Sequence, residues 1–193
     1  MLTFEELFAE STRIHGHICA GQVIGVRMSM LALDKIGISD PRGKDRKKLY
    51  VIVEIDRCAT DAIQSVTGCT LGKRSMKWLD HGIMAATFVN LETGAAVRVT
   101  ALEEARETSK RYCQEIEDKY SCQLQAYQIM PDLELFRVED VVVQIPENDM
   151  PGRPLRRVQC GQCGDWVQDG RDVTVNDMIL CLNCKNGPYF QRI

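Results

Sequence analysis

The sequence predicts an α+β core domain of helices and a largely antiparallel sheet, followed by a small zinc ribbon, and three observations predict it. Apolar residues recur at helical spacing near the amino terminus and then give way to β-branched runs of strand length. Three prolines and a glycine, Pro146, Pro151, Gly152 and Pro154, interrupt both patterns. Beyond them two Cys-x2-Cys pairs stand 17 residues apart. The boundaries that follow are a core over 1–146, a linker over 147–157 and a ribbon over 158–193.

In chain order, Thr3 and Glu6 stand at capping-box spacing and start a short helix running to Ser11. Val23, Val26, Met30 and Leu33 mark a second helix over Ala20–Ile36, ended by Gly37. Gly21 and Gly25 share one of its faces, so either another backbone approaches closely there or the helix merely tolerates them. Leu49–Ile55 is a strand that leads into a helix over Ala59–Val66. Ile83–Leu91 and Ala95–Ala101 read as an antiparallel hairpin turning at Glu92, Thr93 and Gly94. A long amphipathic helix is expected over Leu102–Lys119, with Ala105, Tyr112 and Ile116 inward, and a last strand over Val138–Ile145. Cys113, Cys122 and Trp78 read as core packing, and His81 as structural. The basic run from Arg42 to Lys48 reads as a solvated loop.

Composition narrows the function. The 193 residues carry 24 basic and 27 acidic side chains, a net charge of -3 that disfavours nucleic acid as a partner. No apolar stretch is long enough for a membrane helix, and the start resembles no secretory leader, so a cytoplasmic protein is expected. Nine cysteines, an odd number, in a reducing compartment argue for ligand or redox chemistry over a disulfide framework.

Cys160, Cys163, Cys181 and Cys184 form the strongest motif: two tight turns, each presenting two thiolates to one tetrahedral ion. Zinc fits best, with rubredoxin-type iron as the rival. Four sulfurs close the coordination sphere, so this ion would be structural, and protein contact is the expected use of the ribbon surface. A second constellation, His15-Gly16-His17-Ile18-Cys19, puts three donors at alternate positions before a helix; in an extended segment all three face one side. Packing or capping is the other reading of such a cluster. Cys58, where a strand gives way to a helix, is the natural additional ligand. The glycine-flanked loop Thr67–Arg74 departs from a nucleotide-binding loop in glycine spacing and in Arg74, leaving an anion or carboxylate nest formed around Cys69, Thr70 and Lys73, or a plain loop.

His15-Gly16-His17-Ile18-Cys19-Ala20-Gly21, with Arg57-Cys58-Ala59-Thr60-Asp61 through Gln64 and Thr67-Gly68-Cys69-Thr70-Leu71-Gly72-Lys73, resembles the signature of the formylmethanofuran dehydrogenase E-subunit family. Some members also carry a zinc ribbon. The resemblance implies an α+β core forming an intertwined homodimer, in which the Gly21 and Gly25 face would take part. It also implies a metal or ligand site beside His-x-His-x-Cys and Cys58. The family name comes from association with a tungsten or molybdenum enzyme that reduces carbon dioxide onto a C1 carrier. This chain is too short to hold such a catalyst. The expectation is therefore an accessory metal-binding protein of one-carbon or molybdenum/tungsten metabolism, partnered with other components of an oxidoreductase complex. Zinc or another transition metal would be held by His17, Cys19 and Cys58, with His15 and Cys69 as alternates. Asp61 would orient a ligand histidine or take a proton, and Lys73 would neutralise a bound anion; these two are the catalytic candidates. The rival is a regulatory or metal-sensing module whose ribbon contacts protein or nucleic acid.

Overall fold

In the computed structural model, which describes residues 2–191 and 193, the chain divides into two compact units between Gln144 and Ile145. The first unit contains helices α1 (Phe4–His15), α2 (Ala20–Lys35), α3 (Cys58–Thr67), α4 (Ala105–Thr108), α5 (Lys119–Ile129) and α6 (Asp132–Leu135). Its strands are β1 (Leu49–Val53), β2 (Met76–Trp78), β3 (Ala85–Asn90), β4 (Ala96–Ala101) and β5 (Phe136–Asp140). They form one sheet in the order β2-β1-β3-β4-β5, in which β1 and β2 are parallel and every other pair antiparallel. Alternation decides the faces: Leu49, Val51 and Val53 of β1, with Phe88, Val97 and Val99, join Val23, Val26 and Leu33 of α2 and Ala59, Ala62 and Ile63 of α3 in one buried core.

Helix α1 starts at the expected capping box, where Thr3 N–H donates to Glu6 and Glu6 N–H to the Thr3 hydroxyl, but it runs a full turn past Ser11 to His15. Gly16, at φ 93°, ends it with a left-handed cap whose N–H reaches the Thr12 carbonyl. Residues 15 to 19 are thus a helix end and a turn, not the extended segment expected. The second correction concerns Gly21 and Gly25. A Cβ on Gly25 would lie 2.4 Å from the Ala59 carbonyl oxygen and 2.6 Å from the Ala62 Cβ, so the close neighbour is α3 of the same chain. These glycines are used inside the fold and give no support to an interface between copies.

The long helix expected over 102–119 is broken into α4, a single 3-10 turn over Ser109–Arg111 and a loop. Its periodic residues compete with Asp118, whose side chain accepts the Ser121 N–H at 2.7 Å and starts α5 afresh. The bend brings Cys113 and Cys122 together as a disulfide, Cα atoms 5.4 Å apart. Both are buried as expected, but they are paired and not free. Strand β2, three residues long, is too short to show a period in the sequence, and Trp78 at its end is 42% exposed instead of packed. The last strand begins two residues early, at Phe136, and ends at Asp140.

The second unit is two hairpins and a helical turn: β6 (Arg157–Gln159) with β7 (Trp166–Gln168), β8 (Val173–Val175) with β9 (Met178–Leu180), then α7 (Leu182–Asn186). Asn176 and Asp177, at φ 47° and 62°, make the two-residue turn that suits the twist of the second hairpin. Among the described residues of this unit the buried apolar side chains are Cys160 and Leu180. That is too little to offset the ordering entropy of the segment, so a further tie is needed.

Candidate metal centre

Four donors from α1, the start of α3 and the segment that links α1 to α2 come together in the first unit. His15 is the last residue of α1, His17 follows the Gly16 turn, Cys19 is the N-cap of α2, and Cys58 opens α3. Each offers a ligand atom, and these atoms all lie within 4.8 Å of one another. The two imidazole rings are 4.3 Å apart. Only a residue without a side chain permits this approach: a Cβ on Gly21 would sit 2.9 Å from the Cys58 Cβ and 3.7 Å from the Cys19 sulfur.

His15 Nδ1 lies 2.7 Å from the Asp61 carboxylate, while its Nε2 is buried with no hydrogen-bond partner among the described residues. A carboxylate fixes the proton on Nδ1 and leaves the Nε2 lone pair free, the arrangement of a metal-ligating histidine. A buried polar nitrogen left unpaired costs about 1–3 kcal/mol, and a cation would remove that cost. Burial, and then the adjacent Cys19 thiol, push the Cys58 thiol above its ordinary range. The donor set therefore fits a transition ion.

Of the other sequence candidates, Cys69 is buried elsewhere, its thiol 3.6 Å from the Leu49 carbonyl oxygen and held protonated by burial. It belongs to neither cluster. In the same loop the Lys73 N–H donates to the Thr70 hydroxyl, the Lys73 ammonium to the Gly68 carbonyl, and the Thr70 N–H to the Ser75 hydroxyl. His81 approaches Glu54 at 3.6 Å, where Arg98 already clasps the same carboxylate through two bonds of 2.6 and 2.7 Å and holds it below its usual range. Sequence reasoning misses Gln22 and Ser11, both buried and hydrogen-bonded to each other beneath the cluster. A polar pair separated by 11 positions leaves no periodic trace.

In the second unit the ligand atoms of Cys160, Cys163, Cys181 and Cys184 also lie within 4.8 Å of one another. Backbone N–H groups of Cys163 and Cys181 bring the Cys160 thiol down to about 6, whereas burial and the surrounding thiols push Cys184 up to about 12. Four sulfurs cannot all ionise side by side without a cation.

Residues 14–137 match the protein family described as "FmdE, Molybdenum formylmethanofuran dehydrogenase operon". The chain belongs to the FmdE family. A "Probable S-adenosyl-L-methionine-binding protein" of Archaeoglobus fulgidus is 31% identical over 199 aligned positions, covering 95% of this chain and 53% of the relative. The chain thus spans about half the length of that protein. Among solved structures, an FmdE-like protein of the tungsten formylmethanofuran dehydrogenase type from Syntrophus aciditrophicus matches with a TM-score of 0.65, covering 98% of this chain and 96% of the other. At 23% identity, that likeness is one of fold. Both cysteine-containing clusters of this FmdE-family chain could hold a metal ion, and no helix among the described residues is long and apolar enough to cross a membrane.

Proposed function

We propose that the chain is a metal-binding accessory protein, with a zinc or similar transition ion at His15, His17, Cys19 and Cys58 and a structural zinc at Cys160, Cys163, Cys181 and Cys184. The observations that carry the first site are the buried His15 Nε2, without a hydrogen-bond partner among the described residues, and the clustering of His15 with three further donors. Two nitrogens and two sulfurs suit zinc and its neighbours better than hard cations. When bound, such an ion supplies Lewis acidity. The chain's own part is to orient it: Asp61 fixes His15, and His17, exposed to solvent, is the donor that a small ligand would displace. Lys73 keeps the role of neutralising a bound anion beside Thr70, its exposed ammonium spending one of three N–H groups on the Gly68 carbonyl.

Family membership supports the rest of the reading: a cytoplasmic homodimer serving an oxidoreductase complex of one-carbon or molybdenum/tungsten metabolism. A second reading, S-adenosyl-L-methionine as the small ligand of the core site, is favoured by the name of the Archaeoglobus relative. Its amino and carboxylate groups are donors such a site accepts. In the ribbon, Trp166 is 54% exposed with the Arg157 guanidinium 4.9 Å from its ring centre, which favours a contact surface for protein there.

The test is metal content. Cys58→Ala should lose about one equivalent per chain while Tm moves less than about 3 °C, because the apolar core does not depend on the ion. Retention of the full content would overturn the core site.

A further inference from the structure

Beneath the four donors lies one buried polar residue whose hydrogen bonds join α1, the start of α2 and the start of α3. Gln22 is fully buried. It is the third residue of α2, just inside the Cys19 cap, and its backbone N–H donates to the Cys19 carbonyl at 3.1 Å. Its side-chain oxygen accepts the Ser11 hydroxyl, and Ser11 stands one helical turn before His15 on α1. Its amide nitrogen donates to the backbone carbonyl of Cys58 itself, at the start of α3. A carbonyl can only accept, so the amide has one orientation, nitrogen toward Cys58 and oxygen toward Ser11. Both Gln22 and Ser11 are removed from water, and apolar residues of the same volume would fill the space without hydrogen bonds.

We infer that Gln22, backed by Ser11, is a positioning residue of the metal centre, setting the separation of Cys58 from His15 and Cys19 so that the four donors meet at one ion. This rests on the metal-binding reading of that cluster. Partners of this kind, one bond removed from the ligands, are worth about 10–100-fold in metal affinity. Filling the core is the competing explanation, and Gln22→Met, which keeps the volume and removes both hydrogen bonds, separates the two.

The experiment titrates cobalt(II) into the full-length metal-free chain and follows its visible ligand-field bands. Cys58→Ala serves as the blank that reports the ribbon alone. The wild type minus this blank gives the spectrum and affinity of the core site. Gln22→Met should bind there roughly 10–100-fold more weakly, with displaced bands, while the ribbon signal stays as it is. Ser11→Ala, a smaller change that retains the fold if Gln22→Met does not, should displace the bands in the same sense. Wild-type affinity and bands in whichever of the two variants folds would overturn the inference, even if its apo form melts lower, since packing alone would then be the role. If wild type and Cys58→Ala take up the same amount of cobalt, the metal reading itself fails and this inference with it.

Discussion

His15 commits one ring nitrogen to Asp61 while the other is buried with no hydrogen-bond partner among the described residues, so a single carboxylate decides the tautomer. Asp61→Ala should therefore weaken zinc binding at the core site about 10–100-fold. Asp61→Asn, whose amide oxygen still accepts the Nδ1–H, should recover part of the loss. Competition with a chromogenic chelator measures both, and equal affinities for Asp61→Ala and wild type would remove the role. Such residues differ in how far sequence reveals them. His15, His17 and Cys19 are legible from spacing, and Cys58 from its place after a strand. Asp61 follows Cys58 by three and so shares its helix face, which makes it legible too. Gln22 is not, because its meaning comes from Ser11 and Cys58, which only tertiary packing brings near.

The contact between α2 and α3 is the element on which the site stands, since Cys19 and Cys58 open those two helices. Gly25 permits their approach, with the Ala59 carbonyl and the Ala62 Cβ where its own Cβ would be. Backbone cannot yield there as a flexible side chain can, so Gly25→Ala should cost about 2–3 kcal/mol of stability despite the better helix propensity of alanine. Urea unfolding followed by far-UV dichroism measures it; an unchanged midpoint would mean that the helices can separate freely. The sequence marks these glycines as a place of close approach but cannot say what approaches, because a face pattern carries no address. The same limit explains residues 102–119. Ala105, Tyr112 and Ile116 recur at helical spacing, yet the cap supplied by Asp118 and the pairing of Cys113 with Cys122 favour a bend. Local periodicity loses to a capping bond and a tertiary contact.

At the scale of the whole chain, the break in composition at Pro146–Pro154 is legible, and the units divide close to it, between Gln144 and Ile145. The two units differ in what holds them. The first has a continuous apolar core from Leu7 to Phe136, whereas the second buries little beyond Cys160 and Leu180. Removing metal with a chelator should thus abolish amide protection over residues 158–193 and leave most of the first unit protected, and Cys181→Ser should do the same without a chelator. Protection of the ribbon after chelation would mean that its thiols are not its staple. For the first unit an ion has a different consequence. Cys19 and Cys58 stand about 40 residues apart, and joining them closes a loop of that length. A helix held by packing alone can open independently of the strands behind it. With His15 and Cys58 held by one ion, the opening of α1 becomes coupled to that of the β1–α3 junction.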